Sequence, residues 1–223
     1  MTRSVKGRPY DSTGRRARSR VTRSEILGAA RELIVEHGYN RTTVAAIAGR
    51  ARVNADTVYE LVGRKPLILR ELIELALSGT DTPVVAEERD YVRRLLAESD
   101  PKEKLRIYAA AVRRIQGRLA PLFLALRDAA ATDTDAKTVW LEISSRRAAN
   151  MRKLARHLHD LRCLRKGLTT GEAADILWVT NSSELYVLLT SERGWSDARY
   201  ERWLAITWQR LLLASEFADD AGI

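Results

Sequence analysis

The sequence predicts an all-α protein, and three observations carry that prediction. Pro is rare, five in 223 residues, so little interrupts helices. Apolar residues recur at i, i+3, i+4 and i+7 along most of the chain, while no strand-like alternation is sustained. The stretch Thr42–Lys65 reads as two short helices joined by a tight turn. A content of 45% apolar and 30% charged residues is ordinary for a globular protein.

Residues 1–20 lack periodicity and mix Gly, Pro and Ser with many Arg. They are expected to form a disordered basic arm that follows phosphates or enters the minor groove. The first helix is expected over Val21–His37, where Ile26, Ala29, Ala30, Leu33 and Ile34 form one stripe and Gly38 ends the run. In Thr42–Arg50, Val44, Ile47, Ala48 and Ala51 share a face, and Thr42 or Thr43 supplies a capping hydroxyl. Val53 marks the turn, Asn54 is a second candidate cap, and Val58, Leu61 and Val62 repeat the spacing. A helix that short does not stand alone. One face must be held by a neighbour while the other is presented to a partner, which is the logic of a helix-turn-helix whose second helix enters the DNA major groove.

Lys65–Ser78 is an apolar helix with Pro66 in its first turn, suited to connect two halves of the chain. Further helices are expected over Thr82–Ser99 and, after an Asp100–Pro101 start, over Lys102–Leu119. Pro121 is expected to interrupt before Leu122–Ala131. Ala136–Leu161 follows, then a loop over 162–170, and two apolar helices, Gly171–Ser191 and Trp195–Phe217. The division is an arm at 1–20, a three-helix DNA-binding domain at 21–64, a connector at 65–80 and a ligand-binding and dimerisation domain at 81–223. Trp178, Leu185, Tyr186, Leu188, Trp203, Trp208, Leu211 and Leu212 exceed one amphipathic stripe. They predict a homodimer through residues 171–217, since a helix-turn-helix that reads a palindrome requires two heads.

Charge is unevenly placed. Residues 1–24 carry 8 basic and 1 acidic side chains, whereas residues 25–80 carry 7 of each. The field that a polyanion would feel therefore comes from the tail and not from the helix-turn-helix. Deleting residues 1–20 is expected to weaken DNA binding and flatten its salt dependence.

With Val58 inward and 100° per residue, Asp56 and Glu60 point outward, Thr57 and Tyr59 lie on the flanks, and Ala55 sits at the exposed N-terminal end. The hydroxyls of Thr57 and Tyr59 suit phosphates or base edges, Ala55 suits a thymine methyl, and Asp56 suits cytosine N4. Thr42 and Thr43, at a helix start, suit a phosphate, and Lys65 can act on one as a point charge. With Asn54, these are the expected contacts to a double-stranded DNA operator.

The run ILGAARELIVEHGYNRTTVAAIAGRARVNADTVYELVGRKPLILREL resembles the TetR/AcrR family of bacterial transcriptional regulators. The resemblance rests on the helix before Gly38–Tyr39, on Thr42–Thr43, Ile47–Ala48, Val53–Asn54 and Thr57–Val58–Tyr59, and on Lys65 opening the fourth helix. It implies a three-helix DNA-binding head, a larger helical ligand-binding and dimerisation body, and repression relieved by a small molecule. It also supports Thr43, Tyr59 and Lys65 as backbone contacts. Three positions depart from the family pattern: Arg52 stands where the turn usually has Gly, Val62 where Phe is usual, and Leu61 where His is common. An Arg held at positive φ costs on the order of 1 kcal/mol.

Within the body, polar groups on otherwise apolar helices mark a candidate pocket: Arg147 and Asn150 near Trp140 and Met151, and Asn181 and Glu184 near Trp178. They suggest a small amphipathic or aromatic effector. No catalytic or metal site is expected. His157 and His159 are two residues apart and so lie on different sides of a helix, and no P-loop, dinucleotide fingerprint or serine elbow occurs. No cofactor is implied. A single cysteine, Cys163, excludes an intramolecular disulfide and fits a reducing compartment. With no apolar leader and no membrane-length run, the cytoplasm is the expected location. The competing readings are a constitutive DNA binder without a small-molecule ligand and a helical enzyme.

Overall fold

A computed structural model describes residues 12–217. The chain divides into two units, the first ending at Ile68 and the second beginning at Leu69.

The first unit is built from α1 (Ser12–His37), α2 (Val44–Ala51) and α3 (Ala55–Leu61), with the opening turn of α4 (Lys65–Ser78). Its core is Ile26, Ala30, Leu33 and Ile34 of α1, with Tyr39, Ile47, Ala48 and Val58. Apolar spacing of three and four residues places these side chains on facing stripes. Gly38, at φ +78, ends α1, and its N–H donates to the Ile34 carbonyl. The start of α1 corrects the sequence expectation. Residues 12–20 are helical and run on into the predicted helix, because no Pro lies between Ser12 and His37 and the Arg-rich stretch propagates a helix that the buried stripe has already nucleated. Residues 1–11 of the expected arm lie outside the described residues.

The second unit contains a 3₁₀ turn at Ala86–Glu88, then α5 (Asp90–Ala97), α6 (Pro101–Ala129), α7 (Thr134–Asp160), α8 (Thr170–Thr180), α9 (Ser183–Val187) running into a π turn at Leu188–Glu192, and α10 (Asp197–Leu212). No strand occurs among the described residues; a single bridge pairs Leu164 with Leu213. One core joins Leu95, Leu105, Tyr108, Val112, Leu154 and Trp208 with neighbours from α5, α6, α7, α8 and α10. Tyr108 stacks on Trp208 at 5.0 Å between ring centroids and on Tyr91 at 6.3 Å.

Several boundaries differ from the sequence reading, each for an identifiable reason. The helix expected over Thr82–Ser99 is confined to Asp90–Ala97, and its C-terminal end is closed by buried Lys104, whose ammonium donates to the carbonyls of Leu95 and Glu98. Pro121 does not split α6. The helix runs through it with Leu119, Ala120, Leu122 and Phe123 all buried, so packing on both sides outweighs the one backbone bond that proline removes. Gly171–Ser191 is not one helix. It breaks at Asn181 and Ser182, where the Ser182 hydroxyl accepts from the Leu185 N–H and the Asn181 side chain is drawn into the core. The last helix ends at Leu212 because the chain then pairs with the 163–165 loop: Arg165 N–H donates to Leu212 O at 2.8 Å, and Ala214 N–H to Cys163 O at 2.9 Å.

The aromatic surplus of the last two helices is also redistributed. Trp208 and Leu212 are fully buried within the unit, and Tyr186 and Trp203 pack against the same core. Trp178, Val179 and Leu188 are the large apolar side chains of residues 171–217 that stay exposed.

Candidate functional site

Two places in the molecule have the character of sites. The first is the outer face of the head. Asp56 and Glu60 are exposed, Tyr59 is 50% exposed, Ala55 and Thr57 are half-buried, and Val58 is fully buried. This is the disposition that a helix anchored by Val58 must take. Arg23 of α1 holds α3 from below, its Nε donating to the Leu61 carbonyl at 3.1 Å. That tether spans 38 residues of sequence and leaves no local signal.

Other expected contact residues are placed differently. Thr43 is exposed and caps α2, its hydroxyl oxygen accepting from the Ala46 N–H at 3.1 Å. Thr42 is buried, and its hydroxyl donates to the Gly38 carbonyl at 2.9 Å. Its predicted reach to a phosphate is therefore corrected: the group ties the end of α1 to the start of α2. Lys65 is also committed inside the head, with Nζ donating to the Tyr39 carbonyl at 3.1 Å and lying 4.0 Å from the centre of the Tyr39 ring. Its charge is thereby held beside the end of α1. Asn54 has extended N-cap geometry, but its exposed side chain makes no capping bond. Arg52 does adopt the left-handed conformation, φ 56 and ψ 41, and its N–H serves the carbonyls of Ala48 and Gly49. The turn keeps the shape that a glycine would give, at a cost of about 1 kcal/mol.

The second site is a cavity of about 510 Å³ within the second unit, of a size that holds a small organic ligand. Leu95, Val112, Leu119, Phe123, Ile143 and Leu154 are among the apolar residues of its wall. Of the predicted pocket residues, Arg147, Asn150, Met151 and Asn181 line it. Trp140 and Trp178 do not, which corrects that part of the expectation. Trp178 is 39% exposed and supports Arg147 from outside, its ring centre 4.8 Å from the guanidinium carbon and its carbonyl accepting from the same group.

A polar cluster occupies one part of the wall. The Asn181 side-chain amide donates to the Tyr108 hydroxyl at 2.8 Å. Gln116 Nε2 donates to the Asn181 carbonyl at 2.7 Å, and the Ser183 hydroxyl donates to Gln116 Oε1 at 2.9 Å. The Tyr108 hydroxyl points its own proton at the Met151 sulfur, 3.3 Å away, a weak acceptor. Burial pushes the Tyr108 phenol well above its ordinary range, with the charge of Arg147 opposing that rise, so the group is a donor at neutral pH. Burial lowers the Arg147 guanidinium from its ordinary value, and Tyr108 and Glu184 oppose it. His157 lines the cavity as well; burial lowers its pKa, helped by the Lys104 ammonium, and its Nε2 is buried without a hydrogen-bond partner among the described residues.

Tyr108, Gln116, Ser183 and His157 were not among the sequence candidates. Gln116 did carry a signal: with Tyr108 and Val112 it stands at four-residue spacing on the apolar face of α6, a polar residue in an apolar row. Ser183 carried none, since its role depends on the break at Asn181. Cys163 is buried, its thiol donates to the Leu158 carbonyl at 3.1 Å, and burial raises its pKa, so it is a packing thiol.

Residues 26–61 match the model of bacterial regulatory proteins of the tetR family. This chain therefore carries a TetR-family DNA-binding domain in its first unit. No curated protein sequence matches it. Among solved structures it is similar to the fatty acid degradation regulator FadR from Bacillus halodurans, with 20% identity, a TM-score of 0.67, and coverage of 85% of this chain and 94% of that one. It is also similar to NalD, the secondary repressor of the MexAB-OprM multidrug efflux pump in Pseudomonas aeruginosa, with 20% identity, a TM-score of 0.67, and coverage of 92% and 100%. SmeT in complex with triclosan gives 19% identity, a TM-score of 0.63, and coverage of 91% and 96%. At these identities the neighbours establish the shared fold. In TetR-family terms the first unit carries the helix-turn-helix and the second is the helical body. No helix among the described residues is long and apolar enough to cross a membrane.

Proposed function

We propose that this protein is a ligand-responsive TetR-family transcriptional repressor that binds a palindromic operator as a homodimer. The observation that carries the reading is the pairing of a reading helix, with Tyr59 and Asp56 outward, with a body whose interior holds a cavity of about 510 Å³. A constitutive DNA binder has no use for such a cavity, and a body of this size exceeds what dimerisation needs. The SmeT complex with triclosan supports a small amphipathic or aromatic molecule as the effector. Exposed Trp178, Val179 and Leu188 support a dimer surface within residues 171–217.

Backbone contacts are assigned to Thr43, Tyr59 and the basic start of α1, and base contacts to Ala55, Asp56 and Thr57. Two heads must sit about 34–36 Å apart, or a multiple of that, to enter successive major grooves. A ligand in the body that tilts α4 alters that separation and lowers operator affinity by population shift. Selecting bound DNA from random sequence tests the reading: the expected product is an inverted repeat with fixed spacing, bound by two chains. A single, non-repeated site bound by one chain would refute the dimer. Operator affinity unchanged by every ligand that fills the cavity would refute the switch.

A further inference from the structure

The effector cavity is chemically lopsided. After internal pairing, the acidic side chains that line it are engaged: Glu74 pairs with Arg146, and Glu87 with Lys153. Arg147 lines the same cavity and has no carboxylate within salt-bridge distance among the described residues. The acid whose charge it feels, Glu184, is itself paired with Arg127 at 2.8 Å. Arg147 makes a single hydrogen bond, to the Trp178 carbonyl, and rests on the Trp178 ring, which leaves most of its five N–H donors unused. Asn150, three residues further along α7, lines the cavity with no hydrogen-bond partner among the described residues. Tyr108, within reach of the Arg147 charge, directs its hydroxyl proton at a thioether that accepts weakly. Donors that face an apolar cavity without good acceptors are costly unless a ligand supplies one.

Further along that face of α7 the wall is apolar at Met151 and Leu154 before it reaches His157. Arg147, Asn150, Met151, Leu154 and His157 follow one another at three- and four-residue spacing along the wall. The axial distance from Arg147 to His157 is about 15 Å at 1.5 Å per residue. Between Asn150 and His157, Met151 and Leu154 of α7, with Leu95 and Val92 of α5, supply apolar wall.

We infer that the effector is an amphipathic carboxylate: its anionic head sits on Arg147, Asn150 and the Tyr108 hydroxyl, and its apolar body lies along α7 towards His157. This rests on the reading of the cavity as the effector site and specifies its ligand class.

The test compares three ten-carbon probes by isothermal titration on the full-length protein, each below its micellar concentration: decanoate, decanol and decyltrimethylammonium. Decanoate is expected to bind at one site per chain, at least about tenfold tighter than decanol, the scale of a charge-assisted pair over a neutral one. The cation is expected to bind weakest. Arg147→Gln is expected to bring decanoate to within about twofold of decanol, and Arg147→Lys to keep most of the preference. Decanol or the cation binding as tightly as decanoate would overturn the charge assignment while leaving the cavity a ligand site. Absence of binding by all three would overturn both. An undiminished decanoate preference in a folded Arg147→Gln protein would overturn the role of Arg147. Should that variant fail to fold, the wild-type order of the three probes still decides the sign of the charge.

Discussion

The head and the body handle their polar groups in opposite ways. In the head, the hydroxyl of Thr42, the ammonium of Lys65 and the guanidinium of Arg23 are turned onto nearby carbonyls, and Arg50 pairs with Glu32 at 3.0 Å. What is left for a partner is a small set of outward side chains on one short helix. In the body, polar groups from distant parts of the chain converge on an interior: Tyr108 with Asn181 across 73 residues, and Gln116 with Ser183 across 67. The head thus presents its candidate contacts outward, and the body holds its cavity within. Substitutions at the functional positions should separate binding from stability in the head and couple them in the body.

The largest effect is expected at Tyr59. Tyr59→Ala should weaken binding to a selected operator by about tenfold to a hundredfold, the scale of a DNA contact worth about 1–3 kcal/mol. The melting temperature should stay within about 2 °C, because the side chain is half exposed. A large fall in stability would break the contrast, since Tyr59 would then be a core residue.

The charge of the arm tests the head from outside α3. Replacing Arg16, Arg18 and Arg20 by Gln keeps the α1 backbone while removing cations. The log–log salt slope of operator binding should shallow by roughly 0.9 for each phosphate that is no longer neutralised. A slope equal to that of the wild type would show that these cations do not face the DNA.

The opposite case, in the body, is Asn181→Ala. It removes the partner of the Tyr108 hydroxyl and opens the joint between α8 and α9, and should cost about 1–3 kcal/mol in urea unfolding. Any change in ligand affinity should accompany that loss of stability.

A smaller gain is expected from Arg52→Gly. The left-handed backbone at φ 56 suits glycine, while the larger unfolded-state entropy of glycine offsets part of the benefit. A net stabilisation of about 0.5–1 kcal/mol should follow, with operator affinity unchanged.

The smallest effect concerns pH. Burial, followed by the Lys104 charge, lowers the folded-state pKa of His157 below its ordinary value of 6.5. The unfolded chain then binds the proton more readily. The stability contributed by the neutral ring is complete above pH 6.5 and is lost as pH falls through the lowered folded-state value. His157→Gln should flatten the acid side of a plot of melting temperature against pH and leave the alkaline side unaltered. An equal acid slope in the variant would show that other groups carry it.

Local chemistry made the head legible. Thr43 before an apolar run, a turn at 52–53 and Val58, Leu61 and Val62 at helical spacing are short-range signals, and the bonds that hold them are mostly short-range too. The sequence alone therefore determined the all-α class, the helix-turn-helix, the inward Val58 and the outward Tyr59, Asp56 and Glu60. It also selected four wall residues of the cavity, Arg147, Asn150, Met151 and Asn181, as polar or polarisable groups on apolar helices. Tertiary structure decided the rest. Burial on both sides carried α6 through Pro121, which local propensity would break. The pull of Tyr108 on Asn181 divided one apolar stretch into α8 and α9 and brought Ser183 to Gln116. Trp208 and Leu212 went to the body's own core instead of to a partner surface, and Trp178 went outside the cavity as a platform for Arg147. The physical reason is the same in each case. Periodicity reports which side of a helix is apolar, whereas which neighbour covers it, and which polar group must then find a partner, depends on pairings across scores of residues that no local pattern encodes.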